Sequence, residues 1–101
     1  MRGSKTHGKR RSPKWPAFER GFLKGKVCAA CGGRKKLVGH HIKPFHLFPA
    51  LELVASNLLP LCEGNPALNC HLVIGHNGNF QRINPNAVAD AAALRAKLTA
   101  A

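Results

Sequence analysis

Four cysteines and six histidines in a chain of 101 residues constrain this protein more than any other feature. Cys28 and Cys31 stand in C-x-x-C spacing, and Cys62 and Cys70 follow about thirty residues later. One domain of this length is at the small end for a self-sufficient hydrophobic core, so a covalent or metal staple is expected. The N-terminal stretch is polar and basic, without the apolar segment of a secretory signal, and no run is long enough to span a membrane. The thiols are therefore expected to be reduced and intracellular, binding a metal rather than pairing as disulfides. A four-thiolate tetrahedral zinc site suits Cys28, Cys31, Cys62 and Cys70, although the second pair is spaced wider than usual. A redox pair at Cys28 and Cys31, or four buried free thiols, are the alternatives. The redox reading lacks a βαβ context.

The formal net charge is +12, and it is lopsided: twelve of the sixteen lysines and arginines precede position 37, opposed there by Glu19 alone. Such a field attracts polyanions and supports sequence-independent phosphate binding. Lys9, Arg10, Arg11 and Lys14, with Arg34, Lys35 and Lys36, are the expected nucleic-acid contacts. A solubilising tail is the plainer reading of a charge run, but this run sits beside candidate metal chemistry.

The chain divides into a basic arm at 1–14, expected to be disordered when free, a central domain at 15–85 and a terminal segment at 86–101. Pro16 and the spacing of Phe18, Phe22 and Leu23 predict a short helix over 16–24, packed down by Trp15. Residues 27–33 read as a strand entering a cysteine knuckle, and 37–42 as a second strand closed by Lys43-Pro44. Residues 45–59 read as a long ordered loop with a short helical turn, with Phe45, Leu47, Phe48, Leu51 and Leu53 in the core. Asn65-Pro66 resembles a helix start, with Leu68, Cys70, His71, Leu72 and Ile74 following and Gly75 as the stop. A final helix over 86–99 would be capped by Asn86, with Val88, Ala91 or Ala92, and Leu98 inward.

His40 and His41 are adjacent, and adjacent strand residues face opposite sides. One histidine would ligate a metal while the other reaches across to a substrate. Cys70 and His71, about 100° apart on a helix, would divide in the same way. His71 and His76 would diverge on a continuous helix, so a break at Gly75 is needed to fold His76 back to the same ion. His7 and His46 read as ordinary histidines; Lys43 and Arg82 are near the site in sequence, as phosphate contacts or plain surface.

The ordered set Cys28-x-x-Cys31, His40-His41-Ile42-x-Pro44, Asn57-Leu58-x-x-Leu61-Cys62 and Cys70-His71 resembles the HNH endonucleases, the ββα-metal or His-Me finger family. The resemblance covers roughly residues 15–80, and the closing run Gly75 to Phe80 is similar to a phage and bacterial branch of that family. It implies a small α+β domain of ββα-metal type, stabilised by structural zinc and flanked by helices. It implies His41 as the general base, Asn57 as the residue that orients it, and His71 as a ligand of a catalytic divalent ion. His40 stands where the family carries another ligand. His76 is similar to the helix-end histidine of colicin-type members, whose spacing is one residue shorter.

These readings together predict a metal-dependent endonuclease that nicks or cuts DNA, with RNA left open, and the resemblance implies 5′-phosphate and 3′-hydroxyl ends. Neutral imidazole can accept a proton from water near physiological pH, and one divalent ion can stabilise both the phosphorane and the departing oxygen. Three imidazoles and no carboxylate favour Mn²⁺, Ni²⁺ or Co²⁺ at least as much as Mg²⁺. The expected setting is bacterial or phage-encoded cytoplasm without membrane association. A homodimer, or phage or recombination machinery, would supply any sequence specificity. A non-catalytic, zinc-stabilised nucleic-acid-binding module is the first alternative. A toxin-type nuclease is the second.

Overall fold

The computed structural model describes residues 11–64 and 69–100. Lys9, Arg10 and the helix start at Asn65-Pro66 lie outside the described residues, as does Leu68. The described residues form a small α+β unit around one two-stranded antiparallel sheet. Among them no helix is long and apolar enough to cross a membrane.

Helix α1 spans Trp15–Leu23. Pro16 sits in its first turn, where a missing N–H costs nothing. The preceding turn is held by Ser12, whose hydroxyl accepts from Lys14 N–H and whose carbonyl accepts from Trp15 N–H. Residues 11–14 are thus part of the ordered structure, contrary to the expectation of a free arm through position 14.

Strand β1 (Leu37–His41) pairs with β2 (Leu58–Cys62), with Leu37 opposite Cys62 and His41 opposite Leu58. Residues 58 and 59, expected at the end of the long loop, are instead the start of β2, which runs through Pro60. Pro60 is tolerated because it faces Gly39, whose own N–H points away from the ladder to Glu19 Oε2 at 2.9 Å. That pair exchanges no ladder bond, so the missing proline N–H is not needed. The Pro60 carbonyl instead accepts from Ala29 N–H at 2.8 Å, tying the cysteine knuckle to the outside of β2. Residues 27–33 are accordingly a turn fastened to the sheet and not a strand.

The link between the strands contains two short 3₁₀ turns, Pro49–Leu51 and Ala55–Asn57. Of its expected core residues only Phe45 is buried; Leu47 is 56% exposed and Phe48 42%. With just two strands, the sheet cannot cover the whole of this loop.

Cys70 leads into a π-helical turn at His71–Gly75, and helix α2 follows at Ala87–Thr99. Ala87 and Ala91 are buried and Leu94 packs partly against the same cluster, a spacing of four and three that marks one helical face. Val88 and Leu98, expected inward, are exposed. Asn86 makes no side-chain cap bond. That work falls to Asn84, which is buried. Its Oδ1 accepts from Asn86 N–H, and its Nδ2 donates to Ile74 O at 2.7 Å and Asp90 Oδ2 at 2.9 Å, locking α2 onto the π turn.

The core is small and is built around sulfur. Its buried cluster comprises Cys28, Ala30, Leu59, Leu61, Cys62, Cys70, Ala87 and Ala91. The fully buried side chains of any size are Leu61, Cys28 and Cys70. Knuckle, β2, π turn and α2 therefore meet at the thiols.

Candidate functional site

The Cys28–Cys31 knuckle is shaped by its backbone. Gly32 takes φ of 80°, and the Cys28 N–H and Gly33 carbonyl close the loop at 2.7 Å. A side chain at Gly32 would meet that strained φ, so glycine is required there. The loop turns amide N–H groups inward: Ala30 and Cys31 both donate to Cys28 Sγ at 3.4 Å, and Gly33 donates to Cys31 Sγ at 3.4 Å. Such donors stabilise thiolate charge. Although burial opposes ionisation, these amides bring Cys28 down to about 7, whereas burial pushes the Cys62 and Cys70 thiols up.

All four sulfurs lie within 4.8 Å of one another, with Cys31 and Cys62 at 3.6 Å, and none is paired as a disulfide. Tetrahedral zinc with bonds of about 2.3 Å has S–S edges of about 3.8 Å. The cluster could hold one structural metal ion. The wide gap between Cys62 and Cys70 is no obstacle, because β2 delivers the first and the π turn the second.

A second set lies on the other side of that turn. One ring nitrogen each from His40, His71 and His76 fall within 4.8 Å of one another. His71 Nδ1 is held by the Glu63 carboxylate, and His76 Nδ1 donates to the Arg82 carbonyl at 2.9 Å. Both rings therefore carry their proton on Nδ1 and present an Nε2 lone pair. Those two nitrogens face each other at 3.2 Å. Opposed lone pairs repel unless a cation lies between them. Their spacing matches the roughly 3.3 Å edge of a tetrahedron with metal–nitrogen bonds of about 2.0–2.1 Å. Outer partners on the far nitrogen are the usual way ligating histidines are oriented. Burial, and then the neighbouring imidazoles His71, His76 and His41, depress His40 to about 3. Burial likewise lowers His71, so at neutral pH both rings keep their lone pairs available.

The π turn explains how His71 and His76, five residues apart, reach one point. On an α-helix they would be about 140° apart. A turn closed by i→i+5 bonds takes about one more residue per revolution and returns the fifth residue towards the first. The expected break at Gly75 is thus replaced by a widened turn, which ends where Leu72 O accepts from both His76 N–H and Gly78 N–H. Gly75 has a different role. A Cβ there would stand 3.0 Å from His40 Cε1 and Nδ1 and 3.2 Å from His71 Cδ2. Either ring would have to shift out of the histidine cluster, so Gly75→Ala is expected to destabilise the fold by about 1–3 kcal/mol, the usual cost of overpacking. It should also lower occupancy of the histidine site while leaving the sulfur site loaded. Metal analysis beside a denaturation curve checks both.

His41 faces away from this trio. Its ring lies 4.7 Å from the Trp15 ring, and its Nε2 donates to the Glu52 carbonyl at 3.0 Å. Its Nδ1 accepts from Arg11 Nη1 at 3.3 Å. Two independent partners thus fix the same tautomer, with the proton on Nε2 and the lone pair on Nδ1. Burial, partly opposed by the Glu52 carbonyl, holds His41 below the ordinary histidine range.

Asn57 does not touch His41; it staples the loop that carries the Glu52 carbonyl. Lys43 N–H donates to Asn57 Oδ1 at 2.9 Å and Asn57 Nδ2 donates to Lys43 O at 3.1 Å, while Ile42 N–H donates to the Asn57 carbonyl. Asn57→Asp keeps the acceptor but sets an oxygen against the Lys43 carbonyl. It is expected to cost about 1–3 kcal/mol, as Asn57→Ala does by leaving Lys43 N–H unpaired. Thermal denaturation of both variants tests the two halves of this bracket.

His40, His41, His71, His76 and Arg11 line one cleft of about 390 Å³, together with Trp15, His46, Phe80 and Arg82. The expected set is thereby brought to one place, Asn57 acting from behind. Lys14, Arg34, Lys35 and Lys36 are exposed but do not line the cleft. Sequence reasoning missed the carboxylates. The chain has four, and each accepts a hydrogen bond from a group that positions the site or the helix behind it: Glu19 from Gly39, Glu52 from Ser12, Glu63 from His71 and Asp90 from Asn84. Their scarcity in so basic a chain was the available signal. Comparison with protein-family models, curated proteins and solved structures finds no match to this chain.

Proposed function

We propose that this protein is a metal-dependent endonuclease that hydrolyses DNA phosphodiester bonds, of the HNH or His-Me finger type. The observation that carries the reading is the division of one strand's adjacent histidines. His40 joins a three-imidazole cluster while His41, its Nε2 bound to the Glu52 carbonyl, turns an Nδ1 lone pair contacted by Arg11 towards the same cleft. A pure binding module needs neither a base nor an open metal site. The order strand, strand, helical turn, with the cysteines behind, supports the ββα-metal comparison, and the sulfur cluster suits structural zinc.

In this reading His41 Nδ1 accepts a proton from the attacking water, and Nε2–H bound to the Glu52 carbonyl keeps the ring oriented as it becomes imidazolium. The water oxygen bonds to phosphorus, the bond to the 3′ oxygen breaks, and that oxygen takes a proton from solvent water, leaving a 5′-phosphate and a 3′-hydroxyl. His40, His71 and His76 would hold the divalent ion, and Glu63 and the Arg82 carbonyl fix the two last rings. When bound, that ion supplies positive charge to the phosphate and the departing oxygen. The imidazole set favours Mn²⁺, Ni²⁺ or Co²⁺ at least as much as Mg²⁺. The net charge of +12 suits a polyanion gripped through its phosphates, with affinity that falls steeply as salt rises.

A supercoiled-plasmid assay with each ion in turn tests the proposal. Nicking that depends on added metal is the expected result. No nicking above a His41→Ala control with any of these ions would overturn it.

A further inference from the structure

Arg11 occupies the one position that a working base must leave open. Its Nη1 donates to His41 Nδ1 at 3.3 Å, the nitrogen left free by the Glu52 carbonyl. While that bond stands, no water can give its proton to His41. The guanidinium is held loosely where it matters. Among the described residues its polar contacts are this long hydrogen bond and an ion pair with Glu52 at 4.0 Å. Five N–H donors are largely unspent. Aromatic rings hold the guanidinium without using those donors, with Phe45 at 4.7 Å and Trp15 at 5.3 Å.

The backbone beneath is fixed. Ser12 N–H donates to both Glu52 oxygens, at 3.1 and 3.0 Å, and the Glu52 side chain is only 7% exposed. Arg11 can therefore swing about an anchored main chain without the arm letting go. Its own side chain is 47% exposed and lines the cleft.

We propose that Arg11 is a substrate-displaced cap on His41: it closes the base in the free chain and leaves it for a backbone phosphate of an entering nucleic acid. A phosphodiester offers two charged oxygens in the fork geometry that guanidinium prefers, against a single neutral lone pair. The exchange is favourable and unmasks Nδ1 only when a phosphate is present. Proton acceptance is thereby coupled to occupancy of the cleft. Glu52 serves both sides, its carbonyl orienting the base and its carboxylate anchoring the cap.

The cap deepens the endonuclease reading and rests on it for its purpose, but its test is separable. The nitrogen-15 resonance of His41 Nδ1 reports the Arg11 bond directly. It is measured on the full chain with its structural metal, with and without a short DNA duplex and with no further divalent ion. The expected result is an Nδ1 signal displaced by hydrogen bonding in the free protein that moves to the unbonded position when the duplex is added. In Arg11→Met, which keeps the packing on Trp15 and Phe45 but donates nothing, the signal should start at the unbonded position and stay there. Arg11→Met should also lower kcat/KM for nicking about ten- to a hundred-fold, the worth of a charged hydrogen bond to phosphate, with partial rescue in Arg11→Lys. A wild-type signal that the duplex does not move, an unaltered signal in Arg11→Met, or faster nicking by that variant would overturn the cap. If the wild type nicks and the signal does not move, the cap alone fails. If the signal behaves as expected and no ion supports nicking, the cap stands and the endonuclease reading fails.

Discussion

Cys28→Ser is expected to unfold this chain rather than weaken it. Cys28 is fully buried at the centre of a core whose other large, fully buried side chains among the described residues are Leu61 and Cys70. Its sulfur collects two amide N–H donors, and its loop is bonded to β2 through Ala29 and Pro60. Without the metal, four thiols sit within 4.8 Å of one another, with little apolar area elsewhere to compensate. Small folds of this kind draw their stability from the ion; structural zinc contributes about 10–16 kcal/mol of apparent binding free energy in finger peptides. That is as large as the whole stability of a typical domain, about 5–15 kcal/mol. Loss of helical circular dichroism and of cooperative melting is the predicted signature, both in Cys28→Ser and in the wild type stripped by a strong chelator. A folded, cooperatively melting Cys28→Ser protein would refute a structural metal at the sulfur cluster.

The second large effect concerns chemistry alone. His41→Ala is expected to reduce nicking by about 10²–10⁴-fold, the range for loss of a general base. The fold should survive, because Asn57 still brackets Lys43 and the sheet register does not involve the imidazole. Duplex affinity should persist as well, since the charge of the chain is unaltered. His40→Ala should behave differently, since the trio loses a ligand and metal stoichiometry falls from two ions to one. Parallel measurements of nicking, duplex affinity and metal content separate the two histidines. Equal loss of metal in both variants would mean that the strand does not divide their roles.

Much of the candidate site was legible because its logic is local. Alternation along a strand assigns His40 and His41 to opposite faces whatever surrounds them, and C-x-x-C spacing with glycines makes a knuckle from backbone geometry alone. Helix α1 and helix α2 were legible for the same reason, since Pro16 and the Ala-rich run act through the chain next to them. Strand β2 was not, because Pro60 is acceptable only opposite a residue whose own N–H points elsewhere, and the partner is Gly39. The inward face of α2 was misjudged at Val88 and Leu98. Its core contact is fixed by Asn84 gripping the π turn, not by the helix's own pattern.

What the sequence by itself determined was the stock of donors: four thiols, a divided histidine pair and an unbalanced positive field. Tertiary structure decided which atoms of those residues are free. Glu63, Arg82 and Glu52 bond the outer nitrogens of His71, His76 and His41, so one nitrogen of each ring is left for metal or water. The π turn brings His76 to His71 across five residues, and Arg11 rests on the remaining lone pair of His41. The tautomer of a histidine depends on what approaches each nitrogen in space, and here those partners come from residues eleven and thirty positions away.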